Sequence, residues 1–350
     1  NVIDTTTFQI SSDIRQIALM IILMRAGLNL KISDLKKVGP SALLMCFVPA
    51  SFEIIGLMIL APIFLHLDIL NAAILGTVLA AVSPAVVVPL MLKLMDEGYG
   101  TREGIPQLIM AGASMDDVYV IVLFTSLLTL AKSGEFNALS LLRIPTSILF
   151  GIISGIVLGY MLCKLYRLLK LSTGIELASM FAIGMVLITI ERMMTGVVGF
   201  SGLLAIMAMT AAIRHIKPEM ADKYSAVLAK LWKPAEIFLF ALVGASVRID
   251  YALSFGPVVL VVIILALLFR MAGVYLSVMK TKFSLKEKIF TMIAYLPKAT
   301  VQAAIGGLAL EAGLASGELI LTAAVTAILF TAPLGAIFIS ITYRNFLQKA

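Results

Sequence analysis

Apolar residues dominate eleven segments of the chain, and short polar stretches separate them. A helix needs about 20 apolar residues to cross the hydrocarbon core of a bilayer, and most of the segments reach that length. The pattern predicts an all-α polytopic membrane protein, with a further interfacial helix in the polar stretch from Pro218 to Trp232. The segments, numbered one to eleven, are residues 14–30, 40–64, 69–94, 105–131, 143–170, 174–191, 197–213, 233–248, 251–279, 287–311 and 318–343.

Basic residues alternate between the two sides of this arrangement. If the loop after segment one is cytoplasmic, 19 of the 27 Lys and Arg residues lie on the cytoplasmic side, 5 lie on the opposite side and 3 lie inside segments. Cytoplasmic loops of membrane proteins carry such an excess of positive charge. The charge pattern therefore predicts an outside N-terminus and a cytoplasmic C-terminus.

The composition excludes a soluble protein. Hydrophobic residues make up 61% of the chain and charged residues 13%, whereas soluble domains have about 45–50% and about 25%. The net charge of +7 comes from basic residues in the loops, as is usual for a membrane protein. We therefore expect a lipid bilayer as partner, and the charge does not indicate binding to nucleic acid. Cys46 and Cys163 lack the spacing of a disulfide framework or a metal site, and His66 and His215 lie near segment ends. We expect no cofactor.

Two parts of the sequence resemble each other and begin on opposite sides of the predicted membrane. When Gly27 is aligned with Gly244, an intramembrane charge follows 26 residues later in both copies, Glu53 in the first and Arg270 in the second. Such inverted repeats characterise secondary transporters. The alternative is a coincidence between two apolar stretches that contain glycine.

Each copy continues with a segment that proline interrupts. The breaks lie at Ser83-Pro84 in segment three and at Pro297-Lys298 in segment ten. Proline frees backbone carbonyls of a helix, and lipid tolerates this only where the loosened backbone faces protein or water. Matching breaks predict a transport site where they meet, although a plain proline kink is the alternative for each one.

Asp116 and Asp117 lie near the middle of segment four. A charge at the bilayer centre costs at least about 2.5–3.5 kcal/mol, so we expect the pair to face a cavity or partners. Neighbours on a helix point about 100° apart, which lets one carboxylate line a cavity while the other reaches a partner. Carboxylate, hydroxyl and carbonyl oxygens are ligands for a hard cation. We predict that Asp116, Asp117 and Ser83 bind Na⁺ or Li⁺ and the proton; a structural ion pair with Lys298 is the alternative.

The other intramembrane charges have candidate partners. The matching positions of Glu53 and Arg270 predict an ion pair, which serves either a structural or gating role or the transport chemistry itself. Lys298 is expected to pair with Asp116 or Asp117, and we favour Asp116 as the carboxylate that this lysine balances.

Three functions are compatible with this pattern. A secondary antiporter would exchange Na⁺ or Li⁺ for H⁺, whereas a passive channel would need a filter of symmetric loops or charged rings, which the sequence does not display. An intramembrane aspartyl protease needs two carboxylates that face each other, and adjacent residues on one helix do not. We therefore expect an antiporter and not an enzyme.

The motifs identify a family. The strings SPAVVVP (residues 83–89), ASMDD (residues 113–117) and LPKATVQAAIGG (residues 296–307), together with the segment around Arg270, resemble the sodium/proton antiporters of the monovalent cation:proton antiporter superfamily. The nearest branch is the NHA type, shared by animals and bacteria. The resemblance implies Asp117 as the main carrier of ion and proton, with Asp116 beside it, a pairing of Arg270 with Glu53, and Lys298 as the second basic residue.

The same resemblance implies an architecture. The family has 13 helices in an inverted repeat of six plus six with a linking helix, and it works as a homodimer of scaffold and core domains. We expect the scaffold at residues 1–38 and 132–248 and the core at residues 39–131 and 249–345. Eleven segments would correspond to helices three to thirteen, with two more helices before them. The expected location is a bacterial inner membrane.

Overall fold

The computed structural model describes residues 5–29, 40–132, 138–169, 171–194 and 200–349, and most of them are helical. Each of the eleven predicted segments corresponds to one helix or to a group of consecutive helices, which confirms the all-α prediction. The helices are α1 (Thr5–Asn29), α2 (Pro40–Met45), α3 (Val48–Leu65), α4 (Ile69–Ala80), α5 (Pro84–Asp96), α6 (Ile105–Lys132), α7 (Ala138–Leu169), α8 (Thr173–Met194), α9 (Gly202–Ile216), α10 (Pro218–Ser246), α11 (Ile249–Val278), α12 (Leu285–Ala294), α13 (Thr300–Ile305), α14 (Leu308–Glu311) and α15 (Gly317–Phe346).

Length and hydropathy make seven stretches of the described chain suitable for crossing a membrane. The helices α1 and α9 carry shorter apolar runs, at Gln16–Asn29 and Gly202–Ile216. The seven stretches are Pro40–Leu65, Ile69–Asp96, Ile105–Lys132, Leu149–Leu169, Thr173–Glu191, Leu253–Val278 and Gly317–Phe346.

The helix that contains the eighth segment is longer than predicted. The polar stretch from Pro218 to Trp232 does not form a separate interfacial helix, because it continues into the apolar segment as the single helix α10. Pro234 lies inside α10. A proline removes one backbone hydrogen bond and favours a kink, yet the helix continues through it.

The chain folds as two compact units. The first combines Asn1–Lys31 with Val122–Leu242, and the second combines Ile32–Ile121 with Val243–Ala350. In the first unit, α9 packs against α7, α1 and α8. In the second unit, α3 packs against α4 and α11, and α15 packs against α11 and α12. All of the predicted ion-site residues belong to the second unit.

Glycines allow close approach of α7 and α9 in the first unit. Gly151, Gly155 and Gly159 recur every four residues, so they share one face of α7. A Cβ atom at Gly151 would lie 2.8 Å from the carbonyl oxygen of Ser201, and one at Gly159 would lie 2.5 Å from that of Met209. Small residues at this spacing are typical of helix contacts in membranes, where packing rather than hydrophobic burial drives association.

Gly155→Leu is therefore expected to destabilise the first unit. The added side chain would overlap the backbone of α9 at Ala205, and overpacking of this kind costs about 1–3 kcal/mol or more. The melting temperature of the detergent-solubilised protein measures the effect. Ile156→Leu, at an adjacent half-exposed position on the same helix, is the matched control. Equal melting temperatures for the two variants would contradict the close contact.

Both predicted helix breaks are present in the second unit. The helix α4 ends at Ala80 and α5 begins at Pro84, while α12 ends at Ala294 and α13 begins at Thr300. The two breaks meet, because the backbone N–H of Ser83 donates to the carbonyl oxygen of Pro297 at 2.8 Å. Each break therefore lies where the other offers hydrogen-bonding partners to the loosened backbone.

Candidate functional site

The second unit brings the predicted site residues together around the crossing of the two breaks. The helices α3, α6 and α11 each place charged side chains there, and all of these side chains are buried. The residues are Glu53 on α3, Ser83 and Pro84 at the first break, Asp116 and Asp117 on α6, Arg270 on α11, and Pro297 and Lys298 at the second break.

Arg270 is the central residue of the buried network. Its guanidinium donates to Glu53 at 2.9 Å through Nη1 and to Asp116 at 2.7 Å through Nη2. Its Nε donates to the carbonyl oxygen of Tyr295 at 2.7 Å, and Nη1 also donates to that of Ala80. A planar guanidinium offers five donors in a fixed geometry, which explains how one side chain joins α3, α6 and both breaks.

Lys298 pairs with Glu53 rather than with an aspartate. Its Nζ lies 2.7 Å from Oε1 of Glu53 and donates to the carbonyl oxygen of Leu79. The expected pairing of Lys298 with Asp116 is therefore wrong in this structure, since Arg270 takes that position. The position of Lys298 within the second break explains the difference. Its Nζ is directed to the C-terminal end of α4, where the helix dipole favours a cation.

Three carbonyl groups at the end of α4 accept hydrogen bonds from buried side chains. Lys298 binds the carbonyl of Leu79, Arg270 binds that of Ala80, and Gln302 binds that of Ala81 at 2.8 Å. Buried backbone groups without partners are rare, because each loses its hydrogen bond to water. The broken helix is thus stabilised by side chains of the second repeat.

Asp116 binds the backbone on the other side of the first break. Its Oδ2 accepts from the N–H of Val82 at 2.9 Å as well as from Arg270. The carboxylate therefore links α6 to the break and to α11.

Asp117 is the exception among the buried charges. The residue is 7% exposed, and it forms no ion pair or hydrogen bond with any described residue; its Oδ1 is buried and unpartnered. Glu53 and Asp116 together balance Arg270 and Lys298, so Asp117 is an additional acidic group in this cluster. The hydroxyl of Ser83 is also buried, and it has no hydrogen-bond partner in the part of the chain that the structure describes. These oxygens are the type of ligand that a hard cation takes.

Two residues of the site were missed by the sequence analysis. Gln302 and Tyr295 flank the Pro297-Lys298 pair, and both are completely buried. A glutamine inside the apolar run that follows the break was the available signal, because a buried amide needs partners. The tyrosine carried no comparable signal, since its carbonyl rather than its side chain binds Arg270.

Comparison with known proteins gives consistent results. Residues 2–344 match the family described as "Sodium/hydrogen exchanger, transmembrane". The sodium/hydrogen exchanger 9B2 of Homo sapiens is 36% identical over 352 residues, which cover 97% of this chain and 65% of that protein. The sodium/hydrogen exchanger 9B1 of Homo sapiens is 35% identical over 352 residues, covering 97% and 67%. The chain thus spans about 65% of the length of the 9B2 relative.

A solved structure shares the fold. The sodium proton antiporter MjNhaP1 from Methanocaldococcus jannaschii superposes with a TM-score of 0.83 at 18% identity, covering 99% of this chain and 88% of that chain. This similarity confirms the prediction of an antiporter fold with two broken helices.

The expectation of a bacterial inner membrane is wrong. The exchangers 9B1 and 9B2 that resemble this chain come from animals, among them Pongo abelii, Homo sapiens and Mus musculus. The buried motifs are shaped by the ion and by the lipid around the helices, so they carry no information about the organism or the compartment. The assignment as an integral membrane protein stands.

Proposed function

Because the chain belongs to the sodium/hydrogen exchanger family, we propose that it is a secondary antiporter that exchanges Na⁺ or Li⁺ for H⁺ across a membrane by alternating access. Asp117 is the carrier, and it binds either the proton or the cation. The observation that carries this proposal is the isolation of Asp117. Its carboxylate is buried beside a network of paired charges, yet no described residue neutralises it.

The cost of a buried charge supports this role. A carboxylate inside a membrane protein is expensive unless something neutralises it, and here the four other charged groups already satisfy one another. A bound proton or a bound monovalent cation would each supply the missing positive charge. Only one of the two is needed at a time, which is the requirement for exchange.

The two units of the chain have different roles in this exchange. The second unit, with both breaks and the buried charges that surround them, is the ion-transport core, and the first unit is the scaffold. Glu53, Arg270 and Lys298 hold the breaks in register, while Ser83 adds a hydroxyl ligand beside the carrier. The protein acts in a lipid bilayer as a homodimer.

Apparent Na⁺ affinity is expected to weaken as the pH falls. A protonated Asp117 does not bind the cation, so one proton competes with one cation, and the affinity falls by up to about tenfold per pH unit. Na⁺-driven proton flux in proteoliposomes, measured over a pH series, tests this. An affinity that is indifferent to pH would contradict a shared carboxylate, and single-channel conductance would identify a passive channel instead.

A further inference from the structure

The phenolic hydroxyl of Tyr295 is a buried group with no assigned role. Tyr295 is completely buried, and its Oη makes no hydrogen bond within the described parts of the chain. Buried tyrosine hydroxyls usually find a partner, because an unsatisfied polar group destabilises the fold. A phenylalanine would provide the same packing without this penalty, so packing alone does not account for the tyrosine.

Arg270 fixes the position of the Tyr295 ring. The carbonyl oxygen of Tyr295 accepts from Nε of Arg270 at 2.7 Å, and the guanidinium carbon lies 5.4 Å from the centre of the ring. The same guanidinium binds Asp116. The ring is therefore held by the residue that also binds Asp116.

The hydroxyl of Tyr295 reaches α6 at a glycine. A Cβ atom at Gly112 would overlap Oη of Tyr295 and would lie 2.9 Å from Cβ of Met45. Gly112 precedes Asp116 by one helical turn, and side chains on a helix lean towards its N-terminus. Gly112 and Asp116 therefore lie on the same face of α6, one turn apart.

We propose that the hydroxyl oxygen of Tyr295 is a ligand of the transported cation. This inference rests on the proposed exchange function and adds a ligand to the aspartate site. Hard cations bind hydroxyl and carboxylate oxygens together. Five buried oxygens of this region have no hydrogen-bond or ion-pair partner among the described residues: Oη of Tyr295, Oγ of Ser83, Oδ1 of Asp116, Oδ1 of Asp117 and Oε1 of Gln302. Gly112 leaves the space that the hydroxyl occupies on α6.

Tyr295→Phe separates a ligand role from a packing role. We expect the half-saturating Na⁺ concentration to rise about tenfold, the effect of losing one contact to a charged group. The melting temperature without Na⁺ or Li⁺ should stay the same or rise, because the variant removes an unsatisfied buried hydroxyl. Two readouts are used: Na⁺-driven proton flux in proteoliposomes, and the increase in melting temperature that Na⁺ produces in detergent.

Two further variants complete the experiment. Tyr275→Phe removes a hydroxyl from a partly exposed position on α11 and should leave the Na⁺ dependence unchanged. Gly112→Ala should displace the hydroxyl of Tyr295 and reproduce the loss of Na⁺ affinity.

The possible outcomes distinguish this inference from the proposed function. Wild-type Na⁺ affinity in Tyr295→Phe would overturn the inference, and so would a fall in its melting temperature without Na⁺, while exchange by the unmodified protein would still support the proposed function. If the unmodified protein showed neither proton flux nor stabilisation by Na⁺ or Li⁺, the proposed function and the inference would both be rejected.

Discussion

Asp117→Asn is expected to abolish cation-driven proton exchange while leaving the fold intact. Asparagine keeps the shape of the side chain but neither titrates nor carries the charge that binds a cation. No described residue forms an ion pair or a hydrogen bond with Asp117, so the substitution leaves no described partner unsatisfied. Na⁺-driven proton flux in proteoliposomes and the melting temperature in detergent measure the two parts of this expectation.

Asp116→Asn is the matched comparison, one residue away on the same helix. Its carboxylate accepts from Arg270 at 2.7 Å and from the N–H of Val82 at 2.9 Å. We expect a clear fall in melting temperature and a milder loss of exchange than in Asp117→Asn. Wild-type exchange in Asp117→Asn would reject Asp117 as the carrier. Equal losses of stability in both variants would reject the different roles assigned to the two aspartates.

Glu53→Ala is expected to produce the largest loss of stability. The carboxylate of Glu53 pairs with Arg270 at 2.9 Å and with Lys298 at 2.7 Å, and all three side chains are buried. Removing one partner of a buried ion pair costs about 3–5 kcal/mol, because the other charge is left uncompensated. Arg270 retains Asp116, whereas Lys298 loses its carboxylate partner. The measurement is the melting temperature of the purified protein.

A double-mutant cycle tests whether these charges are coupled. Because Glu53→Ala and Lys298→Ala remove the same ion pair, the double variant should lose much less stability than the sum of the single variants. The exposed pair of Arg248 and Glu318, at 3.4 Å in the same unit, is the control, and Glu318→Ala should cost about 1 kcal/mol or less. Additive losses for Glu53 and Lys298 would show that the contact does not couple them.

The helix breaks could be predicted because their cause is local. Pro84 and Pro297 each lack a backbone donor, and a proline in the interior of a helix removes a hydrogen bond and favours a kink or a break. The same rule did not end α10 at Pro234. A proline therefore indicates a loosened backbone, while packing around it decides whether the helix stops.

The partners of the buried charges could be predicted only in part. The repeat alignment placed Glu53 opposite Arg270, and these two residues do contact each other. The alignment did not predict that Arg270 also binds Asp116, or that Lys298 binds Glu53. A guanidinium has enough donors for several acceptors, so sequence position alone does not decide which acceptors it reaches.

The sequence by itself determined that lipid surrounds the helices, where the helical segments and the inverted repeat lie, and which charged residues are buried near the two breaks. These properties depend on hydropathy, on proline and on the cost of charge in lipid, all of which are read residue by residue. Only the tertiary structure decided that Asp117 has no ion-pair or hydrogen-bond partner among the described residues while Asp116 is held by Arg270, and that Tyr295 contacts α6 at Gly112. Those facts depend on side-chain direction and on distances between helices far apart in the chain, which no local pattern contains.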